Sequence, residues 1–226
     1  MKEIVIVSNY YPPEKGAAAN RIEQMALKLQ QNGYSVKVVC PLGNYPYGKL
    51  FPEYRNKFTV TENRQGIIVK RLWIFPSNSG NIFKRLLSIK SFSAILFGYL
   101  LFAKLPHRVI VQSPPLLLSF IAVAVLSLKK KKIILNVSDL WPLAAVELNA
   151  VKSGSISHKI LLRLEKYIYK NATVVLGQSD EIISHVRSLA PGKQCYLYRN
   201  YPDHQHVYIQ PQPHQKIKIF YAGLLG

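Results

Sequence analysis

The sequence has 226 residues, of which 49% are apolar and 11% are aromatic. This composition excludes a disordered polymer, and the length is enough for one α/β domain with a core plus a further fragment. The 30 Lys and Arg against 11 Asp and Glu give a formal net charge of +19, which predicts attraction to a polyanion: anionic lipid, phosphorylated substrate or nucleic acid.

Two features indicate a reducing compartment. Cys40 and Cys195 lie far apart at the ends of strand-like runs, so we expect free, buried thiols. The N-terminus enters a strand-like run directly, without the long apolar stretch and cleavage site of a secretory signal. We therefore expect a cytosolic protein.

The strand pattern predicts an α/β fold. Short, apolar and mostly β-branched runs are typical of buried strands; they cover residues 4–7, 36–40, 67–72, 109–112, 133–137, 174–176 and 196–198. Helical spacing occurs between them, as in residues 18–31, which are followed by the helix-stop pair Asn32-Gly33. Alternating strands and helices predict a Rossmann-like parallel sheet with helices on both faces.

The loop after the first strand carries the first candidate site. Gly16 directly precedes a predicted helix, so free backbone N–H groups and the positive end of the helix dipole should meet there, where phosphates bind. The G-x-G-x-x-G and P-loop motifs are missing, which argues against dehydrogenases and P-loop NTPases. Glu14, Asn20 and Arg21 are candidate substrate-binding residues; the alternatives are a solvated Glu14 and an ordinary surface arginine.

Two apolar stretches, residues 92–103 and 116–128, resemble membrane spans. Each has about a dozen residues, whereas a spanning helix needs about 20, so we expect that neither crosses a bilayer. The second should be a core helix. The first is either a core helix or a helix in the lipid headgroup region, with its aromatic residues Phe92, Phe97, Tyr99 and Phe102 against lipid. The candidate membrane contacts are Lys84, Arg85, Lys90 and Phe97.

The basic residues support this membrane hypothesis. Twelve Lys and Arg and no Asp or Glu occur from residue 64 to residue 138. They include four lysines at 129–132, which either form a solvated turn that complements a helix C-terminus or contact anionic lipid.

The end of the chain changes character after Asn200. Residues 201–215 are polar and rich in proline, which indicates a linker, and residues 216–226 contain a new strand followed by a glycine-punctuated turn. We expect one domain over residues 1–200, a linker over 201–215, and the first strand of a truncated second domain over 216–226.

Four motifs in order point to a family: residues 9–16 (Asn-Tyr-Tyr-Pro-Pro-Glu-Lys-Gly), residues 44–48 (Asn-Tyr-Pro-Tyr-Gly), residues 139–142 (Asp-Leu-Trp-Pro) and residues 221–223 (Tyr-Ala-Gly). Together they resemble glycosyltransferase family 4, and within it the bacterial enzymes of capsule, O-antigen and colanic-acid assembly, including fucosamine-type transferases. The likeness covers all 226 residues.

The resemblance implies the N-terminal half of a GT-B glycosyltransferase. In that family this half binds the acceptor, and a C-terminal Rossmann-like domain binds the nucleotide sugar, here UDP- or GDP-linked. The sugar is transferred with retention of configuration and without an obligatory metal or other cofactor. The expected acceptor is polyprenyl-diphosphate-linked or a growing surface glycan, at the cytoplasmic face of the cell membrane. Gly16 matches the family's first-loop glycine, but Ala17 stands where most relatives have a second glycine.

Further site residues follow from this resemblance. Asp139 follows the predicted strand over residues 133–137, so it should lie at the carboxyl edge of the sheet and orient or deprotonate an acceptor hydroxyl. The alternative is that it caps the turn at Trp141. Trp141 either stacks on a sugar ring or fills the core. The remaining candidates for substrate binding are Asn44, Tyr45, Arg199 and Asn200.

Two other functions remain as alternatives. A basic nucleic-acid-binding module is supported only by the net charge, since the sequence has no recognition helix, interleaved aromatic pattern or zinc motif. The second alternative is a non-catalytic domain that binds a sugar nucleotide or acts as a scaffold. The six histidines lack the spacing of a metal site.

Overall fold

The computed structural model describes residues 2–147 and 150–199. These residues form one eight-stranded sheet with the order β3-β4-β2-β1-β5-β6-β7-β8. The strands are β1 Lys2–Val7, β2 Tyr34–Pro41, β3 Thr59–Arg64, β4 Ile67–Leu72, β5 Arg108–Ser113, β6 Lys132–Val137, β7 Val174–Gly177 and β8 Cys195–Leu197. All neighbouring pairs are parallel except β3 and β4, which are antiparallel.

Helices connect the parallel strands. They are α1 Ala17–Gln31, α2 Ile82–Phe102, α3 Leu116–Leu128, α4 Leu143–Glu147, α5 Ile156–Asn171 and α6 Asp180–Leu189. A single 3-10 turn, Pro52–Tyr54, lies between β2 and β3. The predicted α/β fold is confirmed.

The sheet is buried on both faces, as its near-continuous apolar strands predict. Ile4 and Ile6 of β1 pack beneath α1, whereas Val5 and Val7 belong to the core formed with α2, α3, α5 and α6. This alternation follows from the period of two in a β-strand. Helices therefore cover both faces, with α1 on one and the others on the opposite face.

Strand order places a crevice beside β1. The chain moves outward from β1 to β2 and β4, then returns to the other side of β1 as β5. In parallel α/β sheets, ligands bind at the carboxyl edge where the strand order reverses in this way. The loops after β1, β2, β4 and β5 all reach this edge.

Two sequence predictions need correction. The polar strand β3 was not predicted at all. The helix predicted over 92–103 begins ten residues earlier and has 21 residues, so the estimate of a dozen was wrong. Among the described residues, α2 is long and apolar enough by length and composition to cross a membrane, with a mean hydropathy of 1.4.

The aromatic prediction for this helix was also partly wrong. Phe92, placed against lipid in the headgroup alternative, is fully buried because it faces the core with Leu96 and Leu100. Phe97 and Phe102 are exposed, as that alternative requires. Tyr99 is half-buried, and the Lys37 ammonium lies 5.6 Å from the centre of its ring.

The lysines after α3 hold two helices together. The Lys129 Nζ donates hydrogen bonds to the carbonyls of Leu100, Leu101 and Ala103 at 2.8–2.9 Å, and the Lys131 Nζ donates to the carbonyl of Leu105. They do complement a helix C-terminus, but it is that of α2, not of the preceding helix α3. The prediction of a merely solvated turn was wrong for Lys129 and Lys131.

The predicted linker and the strand of a second domain lie outside the described residues. So does Asn200.

Candidate functional site

A cleft of about 590 Å³ opens at the carboxyl edge of the sheet. Its walls come from the loops after β1, β2, β4 and β5 and from the first turns of α2. The residues that line it are Asn9, Tyr10, Asn44, Tyr45, Ile74, Ser77, Asn78, Ser79, Gly80, Arg85, Ser88, Ile89 and Pro115. The cleft thus has a volume typical of small-molecule sites, and it is lined by amides, hydroxyls, two tyrosines and one guanidinium.

Glu14 fixes two of these loops together. Its Oε1 accepts hydrogen bonds from the backbone N–H of Asn44 at 2.9 Å and of Tyr45 at 3.0 Å, and its Oε2 accepts from the Tyr11 N–H at 3.4 Å. The side chain is only 2% exposed, so the alternative of a solvated Glu14 was wrong. Its carboxylate is occupied by the backbone, and its contact with a substrate stays a prediction.

Burial dominates the electrostatics at Glu14. Removal from water raises the pKa of its carboxyl above the ordinary value, while the N–H donors from Asn44, Tyr45 and Tyr11 act in the opposite direction. The nearby Tyr10 lines the cleft, and burial, with Glu14 adding to it, raises the pKa of its hydroxyl. Tyr10 therefore presents a neutral hydroxyl to the cleft at physiological pH.

Arg71 supports the same loops from within the sheet. It is fully buried and donates from Nε to Glu62 Oε1 at 2.9 Å, from Nη1 to the carbonyl of Pro41, and from Nη2 to the carbonyl of Pro12. It also lies over the Tyr54 ring, 4.9 Å from the ring centre. One guanidinium thus joins the loops after β1 and β2. The sequence signal was a charged residue in an apolar strand, and it was missed.

A second pocket of about 180 Å³ lies at the start of α1 and is lined by Lys15, Gly16, the first alanines of the helix, Tyr10 and Tyr45. Gly16 has φ +143°, a conformation that side chains disfavour, and only 3.6 Å would separate an added Cβ from the Tyr45 ring. The Tyr10 and Tyr45 rings meet edge to face, 5.5 Å apart, and line both cavities. Asn20 lies exposed in the first turn of α1.

Arg21 and Asp139 form another part of the edge. Arg21 is only 8% exposed, which corrects the alternative of a surface arginine. Burial lowers the pKa of its guanidinium, and the charge of nearby Asp139 opposes this effect. Asp139 follows β6 after Ser138, as predicted, and is exposed. It does not line the 590 Å³ cleft, and its charge acts on Arg21.

The alternative of Asp139 as a helix or turn cap and that of Trp141 as a core residue have different outcomes. Within the described ranges, no backbone N–H donates a hydrogen bond to the Asp139 carboxylate, so its role as a cap has no support there. Trp141 is half-buried and packs against the core of the α2–α3 face. Its proposed stacking on a sugar stays a prediction.

A buried polar ladder joins the ends of β5 and β6. The Asn136 Nδ2 donates to Gln112 Oε1 at 2.7 Å, and the Gln112 Nε2 donates to Ser138 Oγ at 3.0 Å. The Asn136 Oδ1 is buried with no hydrogen-bond partner. Sequence reasoning missed this ladder, although polar residues near the ends of apolar strands were its signal.

The remaining predicted residues are dispersed. Arg199 is paired with exposed Asp180 at the start of α6, 3.2 Å apart, and does not line the cleft. Lys84, Arg85, Lys90 and Phe97 all lie on α2, and of these Arg85 lines the cleft. Residues 2–147 and 150–199 contain no group of three or more His, Cys, Asp or Glu that could hold a metal.

Comparison with known proteins agrees with this arrangement. The model of the glycosyl transferase 4-like domain matches residues 16–196. No curated protein matches the sequence.

Solved structures resemble the fold. Sucrose-phosphate synthase from Thermosynechococcus elongatus has a TM-score of 0.60 at 14% identity, over 88% of this chain and 48% of that one. The catalytic domain of starch synthase IV from Arabidopsis thaliana, bound to ADP and acarbose, has a TM-score of 0.53 at 13% identity, over 87% of this chain and 51% of that one. This chain spans about half the length of these two proteins.

Proposed function

The chain belongs to the glycosyl transferase 4-like family, and from that premise we propose that it is the acceptor-binding half of a retaining glycosyltransferase. The donor is a UDP- or GDP-linked sugar, held mainly by residues beyond those described here. The acceptor is a lipid-linked sugar or a growing surface polysaccharide of the capsule or O-antigen type. The transferred sugar is of the hexosyl or deoxyhexosaminyl type, as the resemblance carried by the four motifs implies.

The cleft at the carboxyl edge of the sheet is the observation that carries this proposal. Four loops and α2 surround a volume of about 590 Å³, and polar groups alternate there with tyrosine rings. Sugars present both hydroxyl groups and apolar ring faces. Amides and hydroxyls of Asn44, Ser77 and Asn78 suit the hydroxyl groups, and the rings of Tyr10 and Tyr45 suit the ring faces.

The basic groups at the edge suit a phosphate-containing substrate. Arg85 lines the cleft, and Lys15 lines the adjoining pocket beside Gly16. Positive groups fixed near a departing diphosphate stabilise the charge that develops on it, so the proposed reaction uses no cofactor beyond the donor. Asp139 is the candidate that orients the acceptor hydroxyl. Action at the cytoplasmic face of a membrane completes the proposal, since the acceptor is lipid-linked.

Sugar transfer by the complete gene product tests this proposal. The protein is incubated with radiolabelled UDP- and GDP-sugars and with a lipid extract from its host, and the label is followed into the lipid or polysaccharide fraction. We expect incorporation from at least one donor class. Absence of transfer and of donor hydrolysis with every donor would contradict the proposal.

The Asp139→Asn variant of the same protein tests the role given to this residue. A large loss of kcat with unchanged thermal stability is expected, because the carboxylate is exposed and contributes little to folding. Wild-type turnover would remove Asp139 from the mechanism.

A further inference from the structure

Helix α2 presents an apolar face that nothing in the described structure covers. Phe83 is 78% exposed, Leu87 49%, Phe97 46% and Leu101 37%. At 100° per residue these positions fall on one side of the helix, and the buried residues Ser88, Phe92, Leu96 and Leu100 fall on the other. The exposed side therefore carries an apolar row that exposed Lys90 interrupts between Leu87 and Phe97, and we call it the outer row.

The charges around the outer row indicate what covers it. Lys84, Lys90 and Lys104 are exposed beside it, within the segment of residues 64–138 that holds no acidic side chain. A face that combines exposed aromatic and aliphatic groups with lysines matches an anionic lipid surface, since the apolar groups enter the acyl boundary and the lysines meet lipid phosphates.

The packing of α2 decides how it meets the bilayer. Its inner side contacts α3 and the core, and the Lys129 Nζ holds its last carbonyls. A helix that crossed the bilayer would have to leave these partners. These contacts favour a helix that lies flat against a bilayer surface over one that crosses it, although its length would allow a span.

The cleft begins on the opposite side of the same helical turns. Arg85, Ser88 and Ile89 line the cleft, whereas Phe83 and Leu87 belong to the outer row. The two surfaces are thus separated by one helix, about 10–12 Å across with its side chains. A phosphate group held beside the outer row would therefore be about one helix diameter from the cleft.

We propose that the outer row of α2 inserts into an anionic bilayer, so that the cleft takes the short head group of a lipid-phosphate-linked acceptor, whose phosphate Arg85 contacts. This rests on the proposed function and narrows its acceptor to a sugar attached close to the lipid phosphate. A long polysaccharide end, far from its anchor, does not fit this spacing.

Vesicle sedimentation tests the surface. The 226-residue chain is mixed with vesicles of phosphatidylcholine and phosphatidylglycerol in equal parts, and with pure phosphatidylcholine. We expect binding to the anionic vesicles that weakens with salt. The Phe83→Ser/Leu87→Ser variant should bind about 10- to 100-fold more weakly, because each side chain loses its transfer from water. The control is Ile156→Ser/Ile160→Ser on α5, where both residues are also exposed; it should bind as wild type.

The proposed surface would be overturned if both double variants lost vesicle binding equally. It would also be overturned if the α2 variant, with an unchanged circular dichroism spectrum, lost no vesicle binding. Equal binding of the wild type to phosphatidylcholine and to anionic vesicles would do the same.

A second measurement tests the position of the phosphate. Part of the phosphatidylglycerol is replaced by a long-chain polyprenyl phosphate at equal charge. We expect the wild type to bind these vesicles several-fold more tightly than the charge-matched ones. Arg85→Gln should lose this increment, and Lys159→Gln, an equal change of charge on the exposed side of α5, should keep it. An increment that survives in Arg85→Gln would overturn the placement of the phosphate.

These outcomes are separate from those of the proposed function. If the complete protein transfers sugar to soluble acceptors but the chain ignores anionic vesicles, only the membrane inference fails. If the chain binds anionic vesicles through α2 but the complete protein transfers sugar from no donor, the transferase proposal fails.

Discussion

Replacing Glu14 with alanine should destabilise the fold strongly. The substitution removes the acceptor for the N–H groups of Asn44 and Tyr45, which lie 2.9 and 3.0 Å from Oε1, and for the more distant N–H of Tyr11. A buried donor left without a partner costs about 1–3 kcal/mol, and hydrogen bonds to a charged group are at the upper end. Two close donors give an expected loss of about 3–5 kcal/mol in the free energy of unfolding.

Urea denaturation followed by circular dichroism measures this loss. With a slope of about 2 kcal/mol per molar urea, the midpoint should fall by about 2 M. Glu53→Ala is the matched control, because it removes the same side chain from an exposed position of the 3-10 turn and should stay within about 0.5 kcal/mol of wild type. If Glu14→Ala also unfolded within about 0.5 kcal/mol of wild type, the loops would not depend on this carboxylate and the reasoning would be wrong.

Three further predictions follow from the same structure. Burial raises the pKa of Glu14 in the folded state above the unfolded value of about 4.3. The protonated carboxyl therefore contributes stability that is fully present below the unfolded pKa and is lost as the pH rises through the folded pKa. Urea titrations of wild type and Glu14→Gln over this range should show the wild type losing stability relative to the variant, and the opposite slope would contradict the shift. Phe92→Ala should lower the free energy of unfolding by about 3–5 kcal/mol and exposed Phe97→Ala by less than about 1; equal effects would contradict the orientation of α2. Lys129→Met should speed amide hydrogen exchange in the last turn of α2, with a loss of about 1–3 kcal/mol, whereas Lys130→Met should not.

Local patterns were sufficient for most of the fold. The seven strands predicted within residues 1–200 all exist. The central ones are buried on both faces and carry continuous apolar runs, which are recognisable without knowledge of the neighbouring strands. The edge strand β3 was missed since its residues, Thr59–Arg64, alternate between exposed and half-buried and include few apolar groups. The start of α2 was missed for a related reason: its first turns contain exposed basic and apolar residues, and their helical state is stabilised by the Asn81 cap.

The site was predictable only in part. Gly16, Asn44, Tyr45 and Arg85 do meet at one edge, because loops that follow parallel strands must meet there. Glu14 was misjudged because its partners lie 30 and 31 residues away in the chain, so its burial could not be inferred from its own loop.

Arg71 and the ladder from Gln112 to Asn136 show the same limit. Each polar group lies in an apolar strand and forms a hydrogen bond with a residue 24 or more positions away in the sequence. A sequence pattern can signal that such a residue needs a partner, but only the sheet register determines which partner it finds.

The change in KM for each of the two substrates when Arg85 is replaced tests the central claim most directly. In the complete enzyme, KM for the acceptor and KM for the nucleotide sugar are measured for wild type and for Arg85→Gln. Because Arg85 lines the cleft that we propose binds the acceptor, we expect the acceptor KM to rise about tenfold or more, as for one lost charged contact, and the donor KM to stay unchanged. A rise in the donor KM with an unchanged acceptor KM would contradict the assignment of this half to the acceptor.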